Sequence, residues 1–164
     1  VLEAPPYDTA LRVNPPLRSA VDAAACLRAL ADGTADALAT DHAPHASVAK
    51  EVEFGAAANG ILGLETALGI ALAAVESGRL TLERAIDALT AGPVRVLGGA
   101  FGRPIGLVEG SAANLVVFDR SASWTVGDDT LRSRSRNTPL LGRPLPGEVL
   151  LTIAEGRLAY SATT

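Results

Sequence analysis

The sequence predicts an α/β chain in two unlike parts: helices alternating with short strands over residues 1–100, then an all-β segment over 101–164. Three observations carry that reading. Apolar residues recur at three- and four-residue spacing in the first part, and compact Val/Leu/Ile runs bounded by turn residues fill the second. A composition of 48% hydrophobic and 20% charged among 164 residues is that of a folded chain, since a disordered one carries fewer apolar groups. Aromatics make up only 4%, so the core must be built from Ala, Val, Leu and Ile.

In chain order, Val1 and the Pro-containing Leu2–Asp8 hold no strand or helix start and read as a cut rather than a natural beginning. Leu11-Arg12-Val13-Asn14 reads as a brief extended element stopped by Pro15-Pro16, which leaves Asn14 at a strand-to-loop junction. From Ser19 to Ala31 the apolar spacing predicts a helix, with Ser19 as N-cap and Gly33 past its end. The single cysteine, Cys26, can form no internal disulfide and reads as a small buried hydrophobe of that helix. Ala35–Ala39 is expected as a short strand from its place between a helix and a loop. The long polar loop from Asp41 to Gly60 has the length that compact domains reserve for function. Leu64, Ala67, Leu68, Ala71, Leu72 and Val75 predict a helix from Gly63 to Gly78. Thr81 caps another, closing near Gly92-Pro93, and a helical turn follows at Val94–Leu97.

The chain changes character between Ala100 and Gly110. Asn114–Asp119 reads as a strand with Ser123–Val126 as its partner, and Gly147–Ile153 with Gly156–Tyr160 as a hairpin turning at Ala154-Glu155. No internal repeat is visible. The longest apolar stretch, Ile70–Val75, is far short of the roughly 20 residues a membrane span needs. A net charge of −4 offers no general attraction for nucleic acid or anionic lipid. Arg132-Ser133-Arg134-Ser135-Arg136 is a local exception that reads as a solvated loop.

The chemistry concentrates in Ala39-Thr40-Asp41-His42-Ala43-Pro44-His45, which holds both histidines of the sequence. Residues just past a strand's carboxyl end are where β/α proteins place catalytic groups. On its own chemistry Asp41 can ligate a metal, act as a general base or cap the following turn. His45 can ligate, bind substrate or pack. Pro44 excludes two ligands on one helical face, and a zinc site needs three or more protein ligands.

Asp41-His42-Ala43-Pro44-His45, preceded by Val13–Arg18 and followed by Gly60–Thr66, resembles the carboxyl-terminal part of a class I dihydroorotase, a zinc amidohydrolase of pyrimidine biosynthesis. The resemblance continues through Gly110–Asp119, Asn137-Thr138-Pro139 and Pro146-Gly147. It implies the last two strands and helices of an amidohydrolase β/α (TIM-like) barrel over 1–100, followed by the carboxyl-terminal portion of a small composite β-sandwich over 101–164. It implies that Asp41 is a metal ligand and the general base and acid. Asn14 and His45 would bind substrate, with Asn59-Gly60 contacting it through the backbone, although the family usually has Phe where this chain has Asn59. His42 carries no ligand role and is expected to pack or hydrogen-bond within the loop.

The implied reaction is reversible hydrolysis of (S)-dihydroorotate to N-carbamoyl-L-aspartate in UMP biosynthesis. One or two zinc ions would serve it, with most ligands outside this chain, because the family's remaining histidines and bridging carboxylate or carboxylated lysine are not here. Two strands cannot close a barrel, so the chain alone is expected to be inactive and poorly folded. The alternatives are a non-catalytic dihydroorotase-like module that stabilises a partner and another cyclic amidase of the hydantoinase or allantoinase type. The partner expectations are a small-molecule substrate, no nucleic acid or membrane, and a homodimer or association with an aspartate transcarbamoylase. The expected location is cytoplasmic.

Overall fold

The computed structural model describes residues 5–98 and 106–162. Four helices lead, α1 (Ala20–Asp32), α2 (Ala67–Glu76), α3 (Leu82–Leu89) and α4 (Ala91–Leu97), with short 3₁₀ turns at Thr9–Leu11 and Ser47–Ala49. Three strands follow, β1 (Leu115–Thr125), β2 (Pro144–Ala154) and β3 (Arg157–Ser161). Ser19 caps α1 in a reciprocal box, its hydroxyl accepting from the Asp22 N–H while the Asp22 carboxylate accepts from the Ser19 N–H, and Gly33 ends the helix at φ 87°. Both devices satisfy terminal backbone groups that have no partner inside the helix. Thr81 caps α3 by accepting from the Arg84 N–H. The last helical turn, expected from Val94, begins at Ala91 because Pro93 falls in its first turn, where a missing N–H costs nothing.

Neither Leu11–Asn14 nor Ala35–Ala39 is a strand. A strand needs a ladder, and the backbone groups of these segments find other partners. The Arg12 carbonyl accepts from the Gly60 N–H, and the Leu38 N–H donates 2.9 Å to the Ala88 carbonyl. The Arg84 guanidinium donates to the carbonyls of Leu30, Ala35 and Asp36. A single parallel bridge, His42 to Ile61, is the barrel-like pairing among the described residues. Helix α2 starts at Ala67 instead of Gly63, and the N–H groups of Gly63 and Leu64 ahead of it donate to the His42 ring. Cys26 is exposed, not buried. Of all α1 only Leu30 is buried, so the Ala-rich face around Cys26 meets solvent.

The strands form an antiparallel meander in the order β1-β2-β3. Asn114–Asp119 and Ser123–Val126 are not partners: residues 115–125 are one bent strand, both halves of which pair with β2. Asp119 faces Glu148 and Ser123 faces Pro146, so three residues of β1 stand opposite Gly147 alone. Such an excess bends a strand. At φ 85°, with no Cβ, Gly147 also lets the Leu72 side chain close over its backbone. The hairpin turns one residue later than expected, at Glu155 and Gly156, whose φ values of 51° and 73° are the two left-handed positions of a type I′ turn.

Two apolar cores result. Leu30, Ala71, Leu80, Ala85 and Ala88 form one, and Leu62, Val126, Leu131 and Leu145 the other, joined by Trp124 and Leu140. Among the described residues every buried hydrophobe is Ala, Leu or Val, in keeping with the shortage of aromatics. The second core takes Leu62 from before the expected division and the rest from after it. The division at residue 100 itself falls on residues 99–105, outside the described residues. No helix among the described residues is long and apolar enough to cross a membrane.

Helix-to-backbone contact depends on glycine. A Cβ on Gly69 would stand 2.8 Å from the Leu145 Cβ, and one on Gly92 would drive into the Asp36 carbonyl. Backbone cannot swing aside as a side chain can. Gly92→Ala is therefore expected to destabilise the full-length protein by about 1–3 kcal/mol, read as a lower urea midpoint. Gly127→Ala, where a Cβ meets nothing within 4 Å, is expected to stay within about 0.5 kcal/mol of the parent.

Candidate active site

Residues 40–45 run alongside 60–63. The Ala43 N–H donates 2.9 Å to the Ile61 carbonyl, and a Cβ on Gly63 would stand 2.5 Å from the Thr40 carbonyl oxygen. At the head of this track Asp41 sits in the left-handed region at φ 44°, a conformation that Asp tolerates better than most residues and that clusters at functional sites. Its carboxylate is exposed and makes no hydrogen bond or ion pair among the described residues.

His42 is tied into the loop through one ring nitrogen. Its Nδ1 accepts from the N–H groups of Gly63 and Leu64, each at 3.2 Å. An Nδ1 that accepts is unprotonated, so the ring proton resides on Nε2. This is the loop hydrogen bonding expected of His42.

His45, Asn59 and Gly60 come together directly. His45 Nε2 lies 2.9 Å from the Asn59 carbonyl oxygen. The Gly60 N–H donates 2.9 Å to the Arg12 carbonyl. The Gly60 carbonyl accepts from Lys50 Nζ at 3.0 Å and from Asn137 Nδ2 at 3.2 Å. Gly60 must be glycine here: its φ is 128° and a Cβ would collide with that of Ala43. The Asn59 side chain is held from the other side, its Oδ1 accepting from Arg12 Nε at 3.0 Å. Asn14 follows two residues after Arg12 and is exposed, with no side-chain partner among the described residues. Asn14 is thus linked to the cluster through the Arg12 backbone, and Asp41 through the His42–Ile61 bridge.

Two buried polar side chains hold this arrangement, and neither was singled out from sequence chemistry. Asn137, 7% exposed, accepts at Oδ1 from the His45 N–H and donates from Nδ2 to the carbonyls of Ala43 and Gly60, while its own carbonyl accepts from the Leu62 N–H. Lys50, 6% exposed, reaches the carbonyls of Ala58 at 2.8 Å, Gly60 at 3.0 Å and Arg12 at 3.4 Å. Burial and then the nearby Arg12 guanidinium hold the Lys50 ammonium below the ordinary lysine range, and Asp8 acts the other way. The Asn-Thr-Pro spelling marks a turn for Asn137, whereas nothing in the sequence marks Lys50.

Glu65 ties the arginine-rich loop to the first part, accepting from the N–H groups of Arg132 at 2.7 Å and Ser133 at 2.9 Å. Arg132 then lies over the Tyr160 ring and Arg136 pairs with Asp128, so these two are engaged with the fold.

Residues 9–159 match the amidohydrolase family. The chain belongs to that family. It is 54% identical over 155 residues to a dihydroorotase of Anaeromyxobacter dehalogenans strain 2CP-1, a match covering 94% of this chain and 35% of the relative. It is 47% identical over 154 residues to a dihydroorotase of Geobacter metallireducens, covering 94% and 36%. The chain therefore spans about a third of the length of these curated relatives. Among solved structures it is similar to the L-hydantoinase (dihydropyrimidinase) of Arthrobacter aurescens, with a TM-score of 0.84 at 31% identity over 94% of this chain and 35% of that one. A D-hydantoinase (dihydropyrimidinase) from Thermus sp. gives a TM-score of 0.83 at 26% identity over 95% and 35%. The α/β chain is thus about a third of an amidohydrolase barrel fold.

Dihydroorotases of this family are metal-dependent as a rule. Among the described residues no three His, Cys, Asp or Glu side chains gather to hold a metal. His42 Nδ1 and His45 Nε2 are engaged, His45 Nδ1 has no partner among the described residues, and the Asp41 carboxylate has the donor chemistry of a hard or borderline metal ligand. The described residues do not by themselves assemble a metal site.

Asn137→Ala would strip partners from the His45 N–H and the Ala43 carbonyl and leave a hole beside Gly60. The full-length protein is expected to lose about 2–3 kcal/mol of stability, measured by chemical denaturation.

Proposed function

We propose that the full-length protein carrying this chain is a dihydroorotase, catalysing reversible hydrolysis of (S)-dihydroorotate to N-carbamoyl-L-aspartate in pyrimidine biosynthesis. The single observation that carries this reading is the pairing of an uncommitted Asp41 carboxylate with a pre-formed His45–Asn59–Gly60 cluster. The 54% identity to a relative named dihydroorotase supports the choice of substrate.

In this reading Asp41 accepts the proton of the water that attacks the ring carbonyl carbon. It returns that proton to the ring nitrogen as the carbon–nitrogen bond breaks, so that one water is added overall. Zinc, one ion or two, is the cofactor, held here by Asp41 and otherwise by residues outside this chain; Lewis-acid activation of water and of the ring carbonyl is the chemistry it supplies. Asn14 and His45 are assigned to the substrate's polar groups, and the Asn59-Gly60 backbone to the same ligand. Residues 1–100 are assigned to the barrel and 101–164 to the small β domain. The cytoplasm is the location of such a metabolic enzyme.

Asp41→Asn is expected to lower kcat by about 10²–10⁴-fold, and His45→Ala to raise the KM for dihydroorotate. An Asp41→Asn protein with undiminished turnover would overturn the mechanism. Hydrolysis of hydantoin in preference to dihydroorotate would replace the reading by the hydantoinase one, and a purified full-length protein inactive on both after zinc loading would favour the non-catalytic module.

A further inference from the structure

Lys50 is the buried ionisable group that this chemistry does not use. Among the described residues no carboxylate accompanies it within hydrogen-bond reach. Its three N–H donors meet three backbone carbonyls, those of Arg12, Ala58 and Gly60. Desolvating an ammonium without a paired anion is costly, and the Arg12 guanidinium adds repulsion. The Asp8 carboxylate offsets part of that cost from a distance, and the three carbonyls are the groups the ammonium touches.

The three carbonyls locate its role. Arg12 lies two residues before Asn14, and Ala58 and Gly60 flank Asn59, whose own carbonyl meets His45 Nε2. The Arg12 carbonyl also has the Gly60 N–H, and the Gly60 carbonyl also has Asn137. The Ala58 carbonyl has Lys50 alone among the described residues. In a planar trans peptide the C=O and the following N–H point in opposite directions. Anchoring the Ala58 oxygen on the buried ammonium therefore turns the Asn59 N–H away from it. That N–H has no partner among the described residues. An amide whose oxygen accepts from a cation is also a stronger donor at its nitrogen.

We propose that Lys50 is a positioning residue of the substrate site: its ammonium locks the Ala58–Asn59 peptide so that the Asn59 N–H faces outward as a donor to an acceptor oxygen of the substrate. This rests on the dihydroorotase reading. Lys50 touches no reacting atom; it acts through the peptide. A contact through the backbone leaves the Asn59 side chain to Arg12, whose Nε donates to Asn59 Oδ1.

The test uses the full-length zinc-loaded protein, with Lys50→Met to remove charge and donors and Lys50→Gln to keep a shorter neutral donor. Steady-state kinetics on dihydroorotate and hydrogen exchange of the 56–62 segment are read together. The Met variant is expected to raise KM by about tenfold or more with kcat within about threefold of the parent, and to speed exchange in 56–62 but not in α3. The Gln variant should fall between the two, and it carries the test alone if the Met variant does not fold. An unchanged KM with unchanged exchange, in a parent that turns over dihydroorotate, overturns the positioning role and leaves the function standing. Equal losses in kcat and zinc content without a KM change overturn it in favour of a purely structural lysine. A parent inactive on dihydroorotate overturns both readings.

Discussion

The carbonyl of Gly60 is the point on which the site depends. It accepts simultaneously from a buried ammonium ten residues earlier and a buried amide seventy-seven residues later. The loop between Asp41 and Leu62 has almost no ladder of its own, so its buried backbone groups must find side-chain partners or lose about 1–3 kcal/mol each. Lys50 and Asn137 supply them. Because Asn137 comes from the β part, the loop that carries Asp41 and His45 is completed by the far end of the chain. The Glu65 carboxylate repeats the device, gripping two backbone N–H groups of the 132–136 loop.

Around that junction the packing relies on small residues. With few aromatics available, the cores are filled by Leu, Val and Ala, and elements approach closely enough to need bare backbone at Gly69, Gly92 and Gly147. Leu72 closes over Gly147 where β1 and β2 lose register, so the bend in the sheet and the seat of α2 are one feature. On the other side Arg84 collects the carbonyls at the end of α1 and along 35–36, doing with a guanidinium what a neighbouring strand would do with N–H groups.

The polar groups of the Asp41–His45 stretch divide sharply by commitment. His42 is consumed by two N–H groups at the entry to α2, and His45 is oriented by the Asn59 carbonyl and by Asn137. The Asp41 side chain has no partner among the described residues and stands on a left-handed backbone. The loop thus fixes the orientation of both imidazoles and leaves the carboxylate exposed.

Much of this was legible from residue order. The Ser19 cap, the Gly33 end of α1, the Thr81 cap and the presence of the last hairpin, though not the exact place of its turn, are set by local chemistry, and the Ala/Leu/Val core follows from composition. The clustering of Asp41, His42 and His45, and the motifs around them, pointed to the amidohydrolase family. Other features were decided only in three dimensions. Strands at 11–14 and 35–39 did not form because a strand is a relation between segments, and their backbone groups met Gly60, Ala88 and Arg84 instead. The apolar face of α1 stayed open, leaving Cys26 exposed, because periodicity reveals a face but not what covers it. Lys50 and Asn137 gained their roles because hydrogen bonds between residues 12, 50, 60 and 137 leave no spacing that a linear sequence can display.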